Sequence, residues 1–409
     1  MSQTLRRPRE RVTWLLHLAG AAASVALIAL TGCAPEAATP PAPERTTAAP
    51  EIAAPPPTAA EARLAEATTI VESWPLRQRV ASVLMSTTPT ADPTTAAAFV
   101  QQFGLGGFIL MSGNVSGDPA QLAELTAALS PDPTLPLLIS IDEEGGTVTR
   151  LPWDTLPGAD TLKYDDPSAT QAAFTERAAL LAAAGVTVNF GIVADVSADQ
   201  GSFMFSRALG TDFATAASHV AAAVTGEQGT DDFTEAPPTR VASTLKHFPG
   251  HGAAPGDSHA GIPQTDLPFA DWQASHAQPF SAGIDAGAQL LMVGHLAFTA
   301  VDPSPASLSP TWHAIARDDL GFEGVIVSDD LGMLLDSGVP AYSDLVTLTV
   351  ASLNAGTDLA LLMRGADPAT LSAVIDGVTA AVESGNLPAE RLQEAATRVV
   401  ALRLALAAG

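Results

Sequence analysis

Titratable side chains are concentrated in one stretch of the chain, residues 246–263, which reads KHFPGHGAAPGDSHAGIP. Four glycines and three prolines in this stretch forbid a continuous helix or a central strand, so the sequence predicts a loop. A loop rich in titratable groups and placed directly after an apolar run is a common location for chemistry. The candidate groups are Lys246, His247, His251, Asp257 and His259.

Histidine and aspartate are ordinary zinc ligands, so a metal site is one interpretation of this loop. Its ligands would be His247, His251, Asp257 and His259. Against it, the Pro-Gly pair between the first two histidines breaks the helix that would align them on one face, and no HxH motif follows the first predicted strand. The sequence therefore predicts no metal and no cofactor.

Short apolar runs alternate with alanine- and leucine-rich helical segments through the rest of the chain, which is typical of a parallel sheet covered on both faces. No GxGxxG motif follows a strand, so a dinucleotide fold is not favoured. We predict an α/β protein with a single catalytic domain, a (β/α)8 TIM-type barrel over residues 61–409. The predicted strands are 108–111, 137–142, 186–192, 243–248, 290–296, 325–329 and 358–362, with an eighth near 83–85.

Several predicted strands end in a polar or charged residue. In a barrel the carboxyl ends of all strands open on one face, where barrel enzymes place their active sites, so these residues are expected to converge on one pocket. Taken singly, each of them has an alternative interpretation as a capping or turn residue. They are Asp142, Asn189 and Asp195, Lys246 and His247, His295, and Asp329.

The amino terminus has the layout of an export signal. Four arginines in residues 5–11 precede an apolar stretch over 15–30. The following Leu-Thr-Gly-Cys resembles the lipobox of bacterial lipoproteins, which implies cleavage of residues 1–32 and lipidation of Cys33, the only cysteine. Two acyl chains give stable attachment, so we expect a lipid anchor on the extracytoplasmic face of the cell membrane. An uncleaved transmembrane anchor and a non-lipidated secretory peptide are the alternatives.

Residues 33–60 are rich in proline, alanine and threonine and contain no periodic apolar pattern, which predicts an extended tether. The formal net charge of −25 and the isoelectric point near 4.4 argue against nucleic acid as a partner, because phosphate binding requires clustered Lys and Arg. No dimer surface can be identified, so a monomer is the default expectation.

Several motifs together resemble glycoside hydrolase family 3, and most closely its single-domain β-N-acetylglucosaminidase branch. The resemblance covers about residues 70–405 in the family's order, and the combination of KHFPGHG, DSH and SDD is highly specific. The motifs are ISIDEEGGTVTRL (139–151), FSRALG (205–210), KHFPGHG (246–252), DSHAGIP (257–263), MVGHLAF (292–298) with VDPSPAS (301–307), and GVIVSDDLGM (324–333).

The resemblance implies a retaining hydrolase that removes terminal β-linked N-acetylglucosamine through a covalent glycosyl-aspartate intermediate. The matching nucleophile is Asp329, with Asp330 as the alternative by proximity. The branch uses an Asp-His dyad as general acid and base, and Asp257 and His259 match it, with His259 transferring the proton.

The resemblance also implies which residues contact the carbohydrate substrate. Asp142, Arg150, Arg207, Lys246 and His247 would hold the sugar's polar groups, and Met292 and His295 would line the same pocket. His251 is interpreted as shaping the loop 246–263. Glu143 and Glu144 are interpreted as stabilising the loop that follows the predicted strand 137–142.

One departure from the family lies between the two halves of the loop, where residues 253–256 read Ala-Ala-Pro-Gly and relatives usually carry an Asp-Thr pair. Two other functions stay open. One is a phosphorylase of the same fold, because a histidine in place of a carboxylate general acid removes one negative charge from the path of the phosphate nucleophile. The other is a catalytically inactive glycan-binding lipoprotein. Export and the resemblance together favour turnover of cell-wall glycan fragments.

Overall fold

A computed structural model describes residues 58–229, 241–256 and 261–407. Every described residue lies in one compact unit, Pro56–Gly409. The predicted signal peptide, Cys33 and almost all of the tether lie outside the described residues. Within the described ranges, no helix combines the length and the apolar character needed to cross a bilayer.

The fold is organised around an eight-stranded parallel sheet, in the order β10-β1-β2-β3-β4-β5-β7-β9. A parallel bridge between Val327 and Leu359 links β9 to the start of β10, so the sheet closes on itself and the predicted (β/α)8 barrel is confirmed. The short strands β6 and β8 pair with each other outside the barrel. The strands are β1 Leu84–Ser86, β2 Gly107–Leu110, β3 Leu138–Ile141, β4 Val188–Val193, β5 Ala242–Phe248, β6 Gln264–Thr265, β7 Leu290–Val293, β8 Ala297–Phe298, β9 Val325–Ser328 and β10 Ala360–Leu362.

Side chains alternate between the barrel interior and the helix layer along each strand, as the two-residue period of a strand requires. In β9, Val325 and Val327 pack in the interior cluster, whereas Ile326 packs against the surrounding helices. In β7, Met292 packs in the interior and Leu291 in the helix layer. This alternation decides which residues at the strand ends face the barrel mouth.

Helices surround the barrel, and many of them begin in the same way. Asp92, Asp118, Asp166 and Asp367 are N-cap residues whose side chains accept a hydrogen bond from the first turn, and each is followed by proline. The helices are α1 Ala59–Ser73, α2 Leu76–Ser82, α3 Pro93–Phe103, α4 Pro119–Leu129, α5 Ala159–Leu162, α6 Pro167–Ala183, α7 Phe213–Gln228, α8 Phe269–Gln273, α9 Ala277–Asp285, α10 Pro310–Ala314, α11 Leu345–Ala355, α12 Pro368–Glu383 and α13 Ala389–Ala407.

Two details differ from the sequence prediction. The predicted loop over 246–263 contains a 3₁₀ turn, His251–Ala253, whereas β5 ends at Phe248 as the predicted strand 243–248 does. The helices α3, α12 and α13 were not among the predicted helical segments. Helices α3 and α12 present buried apolar side chains to the outer layer of the core, and α13 contributes both to that layer and to the interior cluster.

Candidate active site

Three strands deliver charged side chains to the carboxyl end of the barrel. Asp142 follows β3, Lys246 lies near the end of β5, and Asp329 follows β9. Each of the three lies an even number of residues from an interior residue of its own strand. Because side chains alternate along a strand, each of these side chains is directed toward the barrel axis. The structure therefore brings together residues separated by up to 187 positions in sequence.

Lys246 joins two carboxylates at the centre of this cluster. Its Nζ lies 2.9 Å from Asp142 Oδ1 and 2.7 Å from Glu144 Oε1. Arg207 binds Glu144 with two nitrogens, Nε to Oε2 at 2.9 Å and Nη2 to Oε1 at 2.7 Å. Only 2% of the Lys246 side chain is exposed, so the network lies at the bottom of the mouth and not on its rim.

The charges of this network support one another. Burial alone would raise the pKa of Glu144, but Lys246 and Arg207 together hold it at about 2. Burial lowers the pKa of Lys246, and Asp142 and Glu144 more than offset this, so the pKa is raised and the ammonium is retained. Charged donors and acceptors fixed in this way suit the hydroxyl and amide groups of a sugar.

Arg150 lies at the edge of the same cluster. Its Nη2 is 3.7 Å from Asp142 Oδ2, and its backbone N–H donates to Glu143 Oε2 at 2.7 Å. The Arg150 Nε atom is buried and has no hydrogen-bond partner among the described residues. The predicted sugar contacts Asp142, Arg150, Arg207 and Lys246 therefore form one group in space.

The carboxylate of Asp329 is half-buried beside this group. Its backbone N–H donates to Val293 O at 2.9 Å, and its Oδ1 accepts from the N–H of Asp330 at 2.8 Å. Burial would raise the pKa of Asp329, but His295, His247 and that N–H hold it below its usual range. Asp329 is thus a carboxylate anchored to the sheet and ionised at neutral pH, which a nucleophile requires.

Asp330, the alternative nucleophile, is directed away from the mouth. Its Oδ1 accepts from the N–H groups of Gly332 at 3.0 Å and Met363 at 2.8 Å, and its Oδ2 accepts from Arg364 N at 3.1 Å. Only 2% of the residue is exposed. Its side chain fastens the turn after β9 to the end of β10, which is a structural task.

His247 lies beside the cluster and is held by a second carboxylate. Its Nδ1 is 2.7 Å from Asp195 Oδ2. His251, also buried, places its ring edge-to-face against Phe203 with centroids 4.8 Å apart, and neither ring nitrogen has a hydrogen-bond partner among the described residues. Burial lowers the pKa of His251 to about 4, so this ring is neutral.

Met292 and His295 are almost completely buried, with 3% and 1% of their surface exposed. The ring of His295 is engaged on both sides, with Nδ1 2.7 Å from Ser307 Oγ and Nε2 2.8 Å from Asp330 O. Neither nitrogen is free for a sugar. His295 influences the mouth through the field it exerts on Asp329.

The predicted dyad, Asp257 and His259, lies outside the described residues. The chain leading to it is closely packed, since a Cβ at Gly252 would lie 1.8 Å from Val196 O, and Ala254 is buried in the core. The alanine that departs from the family pattern thus contributes apolar packing. Within the described ranges, no group of three or more His, Cys, Asp or Glu residues is placed to hold a metal ion.

Residues 75–402 match the model of the glycosyl hydrolase family 3 N terminal domain. The chain belongs to glycosyl hydrolase family 3. It is a glycoside hydrolase built on the barrel described above, and the family resemblance of its motifs is confirmed.

Individual relatives agree with this assignment. A β-hexosaminidase of Xylella fastidiosa is 34% identical over 274 residues, which cover 64% of this chain and 78% of that one. The structure of a family 3 β-N-acetylglucosaminidase from a Paenibacillus species superimposes with a TM-score of 0.73 at 31% identity, covering 82% of this chain and 64% of that chain. M. tuberculosis LpqI superimposes with a TM-score of 0.71 at 27% identity, covering 82% of this chain and 96% of that chain.

Glu144 was not assigned a place in this family 3 site from sequence, because it was interpreted as a loop residue. Asp195 was expected at the mouth with the other strand-end residues, and it lies there against His247. Alternation supplies the missing signal for Glu144, because it lies two residues after Asp142 and shares its interior parity. Glu143, between them, faces outward and binds the backbone N–H groups of Arg150 and Leu151, which is the loop-stabilising task expected of it.

Asn189 was expected at the mouth and is found elsewhere. Its parity in β4 is opposite to that of the interior residues Val188 and Phe190, so it faces the helix layer. There its amide exchanges hydrogen bonds with the backbone of Glu143 and donates to Glu227 of α7. Asn189 thus supports the loop after β3 from behind.

A cavity of about 890 Å³ lies at the other end of the barrel. Its lining includes Gln289 and Val325, which lie at the starts of β7 and β9, and none of the predicted site residues. Barrel enzymes place their chemistry at the carboxyl ends of the strands. The direction of the strands therefore locates the active site of this enzyme at the carboxyl end of the barrel, and the 890 Å³ cavity at the opposite end is not that site.

Replacing Glu227 by glutamine is expected to stabilise this enzyme at alkaline pH. Burial raises the pKa of Glu227 from 4.5 to about 8. Between those values the folded chain keeps a proton that the unfolded chain has released, so wild-type stability falls as pH rises through this window. Glutamine has no proton to lose. In thermal melts the variant should exceed wild type by several degrees at pH 9 and match it near pH 4.5.

The control for this prediction is an equally simple change at an exposed carboxylate, Glu72→Gln on α1. It should leave the difference between the two pH values as in wild type. A Glu227→Gln variant whose midpoint follows the wild-type pH dependence would show that Glu227 is ionised in the folded enzyme.

Proposed function

We propose that this chain is a retaining β-N-acetylglucosaminidase that hydrolyses terminal β-linked N-acetylglucosamine. The observation that carries the proposal is the anchored, ionised carboxylate of Asp329 beside the cluster formed by Asp142, Glu144, Arg207 and Lys246. The names of similar proteins support the choice of N-acetylglucosamine as the sugar, since the Xylella relative is a β-hexosaminidase and the Paenibacillus structure is a β-N-acetylglucosaminidase.

In the proposed first step, a carboxylate oxygen of Asp329 attacks the anomeric carbon as the bond to the leaving group breaks. His259 donates its proton to the departing glycosidic oxygen, and Asp257 orients the imidazole and stabilises its charged form. In the second step, His259 takes a proton from water, and the resulting hydroxide displaces Asp329 from the anomeric carbon. Two inversions at one carbon give net retention.

In the proposed complex, Asp142, Arg150, Arg207, Lys246 and His247 hold the hydroxyl and acetamido groups of the sugar. Met292 and His295 form the buried part of the wall. Because the charges of Lys246 and Glu144 are already paired and buried before substrate arrives, little reorganisation accompanies the reaction. Such preorganisation is the main contribution that a glycosidase pocket can make beyond its acid and its nucleophile.

The proposal is tested with the purified full-length chain and an aryl β-N-acetylglucosaminide. Release of the aryl alcohol with the β-anomer of N-acetylglucosamine as first product is expected, unchanged by EDTA. Absence of release by a folded protein would overturn the proposal in favour of a glycan-binding role. Faster turnover with millimolar phosphate and a sugar 1-phosphate product would make the enzyme a phosphorylase.

We further propose that the enzyme is a lipoprotein that acts on cell-wall glycan fragments at the outer face of the cell membrane. The basic and apolar amino terminus and the Leu-Thr-Gly-Cys motif support this location. The composition of the Pro-rich segment after Cys33 is that of a tether, since extended proline-rich chain spans about 3.1 Å per residue.

Cys33→Ala is expected to move the enzyme from the membrane fraction to the soluble or secreted fraction. The change removes the thiol that would carry the lipid and leaves the barrel untouched. Fractionation of bacterial cells expressing each form, followed by activity assay and by mass measurement of the amino-terminal peptide, checks this. Retention of the alanine variant in the membrane would indicate an uncleaved transmembrane anchor.

A further inference from the structure

One buried carboxylate near the mouth has no part in the proposed reaction. Asp195 follows β4, and none of its surface is exposed. Its Oδ2 lies 2.7 Å from the ring Nδ1 of His247 and accepts the backbone N–H of the same residue at 3.2 Å. Its Oδ1 accepts the backbone N–H of His251. A single carboxylate therefore binds both ends of the turn 247–251.

The contact with the His247 ring determines which ring nitrogen carries the proton. The two oxygens of Asp195 accept backbone N–H groups, as an ionised carboxylate does, and an ionised carboxylate can only accept. Nδ1 must therefore be the donor. In a neutral imidazole Nε2 is then an acceptor, and it has no hydrogen-bond partner among the described residues.

The position of His247 gives that acceptor a use. The ring lies near Asp329, and 11% of the His247 side chain is exposed. Lys246, which directly precedes His247 in the sequence, is part of the sugar-binding cluster. A sugar presents hydroxyl hydrogens, which an unprotonated Nε2 accepts and an Nε2–H cannot.

We propose that Asp195 is a positioning residue that holds His247 in its Nδ1-protonated form, so that Nε2 faces the sugar as a hydrogen-bond acceptor. The assignment of the partner as a sugar rests on the proposed function. The same carboxylate fixes the backbone of the turn, because Gly250 N donates to His247 O at 2.8 Å while Asp195 holds the N–H groups on either side. Orientation and tautomer are thus set by one group.

The first test is spectroscopic and leaves Asp195 in place. Long-range proton–nitrogen NMR spectra of the full-length ¹⁵N-labelled chain report the tautomer of each histidine, and His247→Gln identifies the His247 signals among the eight histidines. The neutral ring is expected as the Nδ1–H form. Observation of the Nε2–H form would overturn the proposal whether or not the chain hydrolyses any substrate.

The second test is Asp195→Asn, which keeps the shape and removes the charge. An amide has one acceptor atom and cannot bind all three N–H groups, so the His247 ring should lose its fixed tautomer. We expect kcat/KM on the aryl β-N-acetylglucosaminide to fall about 100-fold, mostly through a higher KM. The proposal would be wrong if the His247 signals and KM were unchanged and activity fell only in proportion to the fraction of unfolded protein. Asp195 would then have a purely structural role.

Asp358→Asn is the matched control. Asp358 is equally buried but lies at the start of β10, at the other end of the barrel, where it pairs with Arg317, Arg391 and Arg398. It should lower the melting temperature without changing KM or the His247 spectrum. If wild type fails to hydrolyse the substrate, the proposed function fails, and the tautomer measurement still decides the role of Asp195.

Discussion

Asp329→Ala is expected to reduce turnover of an aryl β-N-acetylglucosaminide by about 10⁵-fold, the scale of loss when an enzyme loses its nucleophile. No other described carboxylate can take its place. Asp142 and Glu144 are bound by Lys246, and Asp330 is directed toward the backbone of β10. The measurement is the steady-state rate of aryl alcohol release by the purified full-length chain.

Azide provides a more specific form of this experiment. In Asp329→Ala the space vacated by the carboxylate lies on the face of the sugar opposite the leaving group, and a small anion can attack from it. Azide should restore part of the rate, and the product should be the α-glycosyl azide, because a single inversion replaces the usual two. Rescue that gives the β-azide would place the nucleophile elsewhere.

The matched control is the adjacent position. Asp330→Asn removes one charge and weakens three backbone contacts, so it should lower the melting temperature. Its folded fraction should keep turnover within about tenfold of wild type, since the side chain does not reach the substrate. Comparable loss in the two variants would contradict the assignment of Asp329, as would substantial activity in Asp329→Ala.

The barrel could be predicted from sequence because its strands are apolar on both faces and are separated by helices of regular length. Polar residues at the strand ends then locate the mouth, as they did for Asp142, Lys246 and Asp329. The reason is physical: an interior position at the carboxyl end of a strand is the last one still held by the sheet and the first one reached by a substrate.

The remaining site residues depend on contacts that do not follow from strand pattern. Glu144 lies in a loop beside two other acids, and only its ion pairs with Arg207 and Lys246 distinguish it from them. The polarity of Asn189 predicts a place at the mouth, but its position in β4 alternates with the interior residues Val188 and Phe190 and so directs it to the helix layer. The engagement of both His295 nitrogens needs Ser307 and Asp330, which are distant in sequence.

Glu144→Gln is the second change expected to have a large effect. Glutamine removes the charge that neutralises Arg207 and half of the charge around Lys246, and its amide group would present hydrogens to one of these cations. Breaking a buried ion pair by removing one partner costs about 3 kcal/mol or more in stability. Displacement of Arg207 and Lys246 should also lower kcat/KM about 100-fold. Because the pKa of Glu144 is held at about 2, the effect should not vary across pH 5 to 9.

Glu143→Gln is the control that the chain itself offers: the same substitution, one residue away, at an equally buried carboxyl that faces the other side of the strand. Burial raises the pKa of Glu143 to about 7, so below that pH the wild-type group is already neutral, and glutamine can still accept from the N–H groups of Arg150 and Leu151. Its cost should stay within about 1 kcal/mol, with KM unchanged. Equal losses in the two variants would mean that the loop after β3, and not the ion pairs of Glu144, positions the sugar-binding cations.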